Sequence, residues 1–386
     1  MHQMTIDTDA AVRERYSAAA RAKEAALCCP VEYDTRLLAA IPDEVLERDY
    51  GCGDPSRHVC DGDVVLDLGS GGGKICFIAA QVAGPTGTVI GVDVNDEMLA
   101  LARDSAPQVA ARLGFANVEF RRGRIQDLRL DLDRLDVWLR GHPVRDLHGL
   151  QALEAETERL RATEPLIADG SVDVVVSNCV LNLVRESDKT ALVREIYRVL
   201  RRGGRVALSD IVADEPVPEE LKADPELWSG CISGAFEETA LLRALEDAGF
   251  YGITIEKREE TPFAVVGGIE FRSVTVTAKK GLEGPCFEAN QAVIYRGPWK
   301  RVEDDDGHVL VRGERAAVCA KTFEILTGEP YARETIPVPP RIAIAAAERV
   351  PFDCTRTASR HPRETKGNGF RETVAAGSCS PGTGCC

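Results

Sequence analysis

The stretch Val64-Val65-Leu66-Asp67-Leu68-Gly69-Ser70-Gly71-Gly72-Gly73-Lys74 decides the fold. Its apolar start predicts a strand, its glycines a turn, and the apolar run through Val82 a helix. The same alternation continues outward. Strands are expected at Thr88 to Asp93 and Val118 to Phe120, with a helix from Asp96 to about Leu113 between them. Val172 to Asn178 predicts a buried strand, and the helix from Lys189 to Leu200 is expected to stop at Gly203-Gly204. Strand Arg205 to Ile211, an amphipathic helix from Phe236 to Ala248 ended by Gly249, and strands near Ile253 to Lys257 and Ser273 to Lys279 complete the series. Repeated β-α units of this kind specify an α/β fold, a doubly wound, Rossmann-like and mainly parallel sheet with right-handed crossovers.

In such a sheet ligands bind beyond the carboxyl ends of the strands, and glycines after the first strand let a ligand approach the backbone. The turn is Gly69-x-Gly71-x-Gly73. A dinucleotide fingerprint wants its third glycine where Lys74 stands, and a Walker A loop wants Ser or Thr where Ile75 stands. Asp67, two residues before the first glycine, can face the amino group of a cationic ligand. Asp93, at the end of the second strand, can accept both ribose hydroxyls. An acid at each position suits S-adenosylmethionine better than nicotinamide or ATP.

Composition narrows the acceptor. The 386 residues carry 47 Lys plus Arg against 62 Asp plus Glu, a net charge of −15, and only 5% aromatic residues. An acidic surface with few rings disfavours nucleic acid and anionic membrane as partners. No apolar run approaches the roughly 20 residues that span a bilayer, and the N-terminal stretch has no secretory pattern, so the cytoplasm is the expected compartment. There are 13 cysteines, an odd number that cannot pair completely. With no CxxC pair and no HExxH or HxxxH set, neither a disulfide framework nor a zinc site is favoured. Cys60, Cys76, Cys286, Cys319 and Cys354 read singly as small buried hydrophobes.

The motifs around three other cysteines are more specific. Tyr50-Gly51-Cys52-Gly53, Ser177-Asn178-Cys179-Val180-Leu181-Asn182-Leu183 and Trp228-Ser229-Gly230-Cys231-Ile232-Ser233-Gly234-Ala235 accompany Asp67-Leu68-Gly69-Ser70-Gly71 and Val92-Asp93. The turn resembles the class I methyltransferase signature, and the set as a whole resembles the arsenite S-adenosylmethionine methyltransferases over roughly residues 20 to 326. The resemblance weakens beyond Lys280, where Phe287-Glu288-Ala289-Asn290 and the acidic turn Asp304-Asp305-Asp306-Gly307 still match loosely.

The resemblance implies a cofactor site of Tyr50, Asp67, Gly69, Ser70, Gly71, Asp93, Val94, Met98, Ile125 and Asn178, with Asn178 hydrogen-bonding near the methyl donor. Met98 and Ile125 read equally as core, Asn178 as a strand cap and Tyr50 as a packing ring. It also implies that Cys52, Cys179 and Cys231 hold trivalent arsenic. Arsenic(III) is a soft centre with three covalent positions, so three thiolates can replace its hydroxyls and leave its lone pair as the nucleophile. Methyl transfer then oxidises arsenic, and nearby thiols can return two electrons by closing a disulfide that thioredoxin or glutathione reopens. Cys29, taken ahead of the adjacent Cys28, occupies the position of the family's further redox cysteine. Two other classes stay open at this point: methylation of a small organic molecule, and non-catalytic metalloid binding.

The expected organisation is an N-terminal segment covering the site (1–60), an S-adenosylmethionine-binding domain (61–215) and an arsenic-binding segment completing the sheet (216–280). A small C-terminal α+β module (285–326) and a mostly flexible tail (327–386) ending in Cys385-Cys386 follow. The charged stretch from Asp127 to Gly170 is expected as a peripheral insertion. The sequence does not set the oligomeric state; a monomer is the default.

Overall fold

The structure is a computed structural model that describes residues 8–24, 31–281, 284–354 and 358–367. The chain divides into two compact units, Met1–Gly281 and Leu282–Cys386. The segments expected separately at 1–60, 61–215 and 216–280 therefore belong to one unit.

Its sheet is built from β1 (Val64–Leu68), β2 (Thr88–Asp93), β3 (Val118–Arg122), β4 (Val172–Asn178) and β5 (Leu200–Ala213), followed by β6 (Phe236–Glu237), β7 (Phe250–Arg258), β8 (Ala264–Val266) and β9 (Ile269–Lys280). The order is β3-β2-β1-β4-β5-β9-β7, with β6 beside β5 and β8 beside β9. Strands β3 to β5 are parallel and β9 runs antiparallel to β5. Val65, Val174 and Val176 pack with Phe77 and Ile78 on one face, while Leu66, Leu68 and Val175 pack with Leu192 and Ile196 on the other. Strands buried on both faces need near-continuous apolar runs, which is what β1 and β4 supply. The strand order reverses between β1 and β4, so a crevice opens beyond their carboxyl ends, where Gly69 and Cys179 lie.

Three boundaries differ from expectation. Helix Lys189–Val199 ends at Leu200, which already pairs with Val172 as the first residue of β5. The glycine pair lies inside that strand, where the register shifts between Val172 and Val174 and Gly203 takes φ 71°; it forms a bulge rather than a helix cap. Phe236 and Glu237 pair with β5, and the following helix spans Glu238–Asp247. The insertion forms two helices, Leu132–Gly141 and Leu147–Thr163, capped by Asp131 and Asp146. It is not wholly peripheral: Leu135 and Leu139 line the central cavity.

The C-terminal unit holds β10 (Ala292–Tyr295), β11 (Arg301–Glu303), β12 (Val309–Val311), β13 (Arg315–Ala317), β14 (Thr335–Val338) and β15 (Ala358–Ser359), with helix Ala320–Thr327. One sheet runs β14-β10-β13-β15 and β11 pairs β12 across the acidic turn. The unit thus continues past the boundary expected at Leu326. Pro337 reads as a breaker, yet β14 is an edge strand, where proline is tolerated. No described helix is long and apolar enough to cross a membrane.

Candidate active site

A cavity of about 680 Å³ opens at the crevice, within the range of small-molecule sites. Gly69, Gly71 and Gly73 take φ of 67°, 52° and 92°, backbone that side chains rarely adopt. A Cβ on Gly69 would also lie 2.9 Å from Val180 Cβ. The backbone N–H of Gly71 donates to Asp93 Oδ2 at 2.8 Å and that of Asn95 to Oδ1 at 2.8 Å, so the second strand's acid fastens the turn and keeps lone pairs for a ligand. Ser70 Oγ, at the same turn, is buried without a hydrogen-bond partner. Burial lifts the Asp67 carboxyl to about 7, against the Cys76 thiol that donates to it at 3.1 Å. The ring of Tyr50 meets Tyr16 edge-on at 6.2 Å, and its hydroxyl donates to Ala19 O at 3.0 Å. These features fit S-adenosylmethionine: a buried acid for an ammonium, an acid at the ribose position and an unpartnered hydroxyl at the glycine turn.

The cysteines meet beside this cavity. Cys52 and Cys179 are joined as a disulfide with Cα atoms 5.8 Å apart. Cys231 donates its thiol hydrogen to the carbonyl oxygen of Cys179 at 3.2 Å, and the Tyr16 hydroxyl lies 3.7 Å from its sulfur. Burial, then the neighbouring Cys231, pushes the Tyr16 hydroxyl well above its ordinary range. Among the described non-glycine residues, Cys179 (φ 59°) and Cys231 (φ 63°) share left-handed backbone with Asn290. Such conformations persist where surrounding structure over-determines them, and they cluster at functional sites.

Asp210 completes the group. Its carboxylate lies within 4.8 Å of the Cys52 and Cys179 sulfurs and accepts the backbone N–H groups of Val180 and Leu181 at 3.1 and 2.8 Å. Burial raises it to about 6, although those N–H bonds pull the other way. It thereby shapes the turn that holds Cys179 in place. The sequence reading passed over it, although an aspartate in the apolar run Val206 to Ile211 is a signal, because a buried carboxylate needs a structural reason.

All ten residues expected around the cofactor line the cavity, as does Cys179; Cys52 and Cys231 are not part of its lining but meet Cys179. Asn178 also makes contacts within the protein. Its Oδ1 accepts the N–H groups of Cys52 and Gly53 at 2.9 and 3.1 Å, and its Nδ2 donates to Gly53 O at 2.8 Å. The amide clamps the Cys52 loop at the cavity wall. Gly51 is needed for this approach, since a Cβ there would sit 2.6 Å from Asn178 Cγ. Gly51→Ala is expected to lower the thermal midpoint by several degrees, about 1 to 3 kcal/mol of destabilisation, measurable by calorimetry. Of the remaining cysteines, Cys76 is buried, Cys60 is exposed rather than packed, and Cys28, Cys29, Cys379, Cys385 and Cys386 lie outside the described residues. The N-terminal helix Thr8–Arg21 supplies Arg13 and Tyr16 to the cavity wall, which no sequence motif had indicated.

The chain is similar to known methyltransferases. A model described as a methyltransferase domain matches residues 60–160 and 143–249, and a domain of unknown function, DUF8838, matches residues 282–370. An arsenite methyltransferase of Aquipseudomonas alcaligenes is 35% identical over 315 residues, covering 77% of this chain and 79% of the relative. One from Mus musculus is 28% identical over 330 residues, covering 82% and 77%. The crystal structure of an arsenic(III) S-adenosylmethionine methyltransferase from Chlamydomonas reinhardtii superposes with a TM-score of 0.53 at 26% identity, covering 84% of this chain and 100% of that one. A class I methyltransferase sheet and a cysteine cluster at its crevice thus coincide with similarity over more than three quarters of the chain, and the chain belongs to the arsenite methyltransferase family.

Proposed function

We propose that this enzyme, an S-adenosylmethionine-dependent arsenite methyltransferase, holds trivalent arsenic on the thiolates of Cys52, Cys179 and Cys231 and methylates it there. The observation that carries the reading is the meeting of Cys52 and Cys179 sulfurs beside the cavity, with Cys231 donating to the Cys179 carbonyl. Bound in the cavity, S-adenosylmethionine supplies an electrophilic methyl group on a sulfonium. Three thiolates bind a soft trivalent centre and leave its lone pair as nucleophile, so no general base is required. The buried surroundings of the sulfurs exclude water, and the strained Cys179 and Cys231 backbones hold the ligands before arsenic arrives.

Methylation takes arsenic formally from trivalent to pentavalent. Two electrons return when the Cys52 and Cys179 sulfurs leave arsenic and bond to one another, as they are bonded here. Methylated trivalent arsenic stays on Cys231, and water completes its coordination with release of a proton. A thiol reductant, thioredoxin or glutathione, reopens the disulfide. This gives Cys52 and Cys179 both ligand and redox duties, with Cys29 or Cys28 relaying electrons from outside. The cellular role is arsenic detoxification. Arsenite incubated with enzyme, methyl donor and reductant should yield methylated arsenic by speciation. Persistent absence of methylated species, with the donor intact, rejects the reading.

A pH dependence follows from Asp67. Its carboxyl is raised to about 7 by burial, so its contribution to stability is present below its ordinary range and is lost as pH rises through that value. A cationic ammonium beside it reverses the preference and favours the ionised form. Affinity for S-adenosylmethionine should therefore rise up to about tenfold between about pH 6 and about pH 8. Calorimetric titration checks this, and Asp67→Asn should flatten the profile.

A further inference from the structure

The C-terminal unit brings together three thiols that the reaction above does not use. Cys286, Cys319 and Cys354 place their sulfurs within 4.8 Å of one another, and none of the three is in a disulfide. They come from segments far apart in sequence that backbone hydrogen bonds tie together. Phe352 N donates to Cys286 O at 2.9 Å, Glu288 N to Val350 O at 2.8 Å, and Ala320 N to Phe287 O at 2.9 Å. Cys319 is fully buried and caps helix Ala320–Thr327, its sulfur accepting the N–H of Thr322 at 3.3 Å. Cys286 and Cys354 are half-buried, which leaves a way in. Cys319 is buried as expected, and the three cysteines, read singly in the sequence, converge in the fold.

We propose that Cys286, Cys319 and Cys354 form a second binding site, a three-thiolate cradle for trivalent arsenic in the C-terminal unit. Sulfurs around a tetrahedral metal with bonds of about 2.3 Å lie about 3.8 Å apart, so small side-chain adjustments suffice to close the triad on one ion. The number of ligands selects the ion. Among the described residues no histidine, carboxylate or fourth cysteine places a ligand atom within 4.8 Å of all three sulfurs, His308 acting on Cys319 only through its charge, whereas structural zinc takes four protein ligands. Arsenic(III) needs three. In binding, three As–O bonds of arsenous acid break and three As–S bonds form. The thiol protons leave with the hydroxyls as three waters, and nothing is oxidised. The product is neutral, whereas zinc on three thiolates would leave a net negative charge in a half-buried pocket. The cradle's chemistry stands on the geometry; naming arsenite as its occupant rests on the arsenic chemistry proposed for the active site.

The test uses the full chain with Cys28, Cys29, Cys52, Cys179, Cys231, Cys379, Cys385 and Cys386 replaced by serine, reduced with a phosphine and titrated with arsenite alone. One arsenic should bind, with three sulfur neighbours by X-ray absorption. Cys319→Ser, and separately the more exposed Cys286→Ser and Cys354→Ser, should each weaken binding at least about tenfold, since even an outer contact to a metal ligand is worth that much. Circular dichroism identifies any variant that fails to fold. As an independent count, Cys354→Ser in the otherwise natural chain should lower bound arsenic by one equivalent while leaving methylation in place. That methylation assay separates failure of the cradle from failure of the proposed reaction. No bound arsenic in the eight-serine chain, binding indifferent to all three substitutions, or tightly held zinc that excess arsenite does not displace would each overturn the proposal.

Discussion

Cys179→Ser is expected to lower the rate of arsenite methylation at least about a thousandfold while leaving S-adenosylmethionine affinity within about threefold, because it removes positioning of the nucleophile and little of the cofactor pocket. Serine keeps the side chain's size and meets the same left-handed backbone at φ 59°. What it loses is soft sulfur: a hard hydroxyl neither replaces arsenic's oxygens with gain nor donates two electrons by pairing with Cys52. The cofactor's glycine turn and acids stand on β1 and β2, one and two strands away from β4. Steady-state arsenic speciation and calorimetric binding of the methyl donor read the two effects separately. Retained methylation with intact cofactor binding would mean that Cys179 is a packing residue and that the acceptor lies elsewhere.

Asn178→Ala should be nearly as damaging, by a different route. The amide satisfies two backbone N–H groups, those of Cys52 and Gly53, and donates to Gly53 O. Removing it strands those groups in a buried site at about 1 to 3 kcal/mol each. It also frees the loop that presents Cys52. A displacement of about 1 Å in a reacting group costs about a hundredfold in rate, so methylation should fall by that order, with a lowered thermal midpoint. Asn178→Asp tests the mechanism further: it keeps the acceptor but loses the donor to Gly53 O, and it should recover stability only in part. Full activity of Asn178→Ala would show that the amide does not position Cys52 for the reaction.

The fold was legible because its deciding features are local. Gly69, Gly71 and Gly73 occupy backbone that few other residues tolerate, and the valine runs of β1 and β4 announce strands buried on both faces. Asp67 and Asp93 were readable for the same reason, since a carboxylate at a strand's end is a local signal. What sequence concealed depends on contacts between distant segments. Asp210 meets the Cys179 turn only because β4 and β5 are neighbours, and Asn178 reaches Cys52 across 126 positions. The three C-terminal thiols looked unrelated because loops and a helix cap, which have no periodicity, bring them together. β14 lay inside the stretch expected as a mostly flexible tail, and Gly203-Gly204 hid a bulge by resembling a helix end.

The most direct test of the central claim is a single turnover without any external reductant. Fully reduced enzyme is mixed with arsenite and methyl-labelled S-adenosylmethionine, quenched in acid, and assayed for arsenic species and for disulfides by peptide mapping. Up to about one equivalent of methylated arsenic per chain should form together with a Cys52–Cys179 disulfide, with no further turnover until thioredoxin or glutathione is added. Methylated arsenic that accumulates catalytically with Cys52 and Cys179 still reduced, or label transferred to no arsenic species at all, would contradict it.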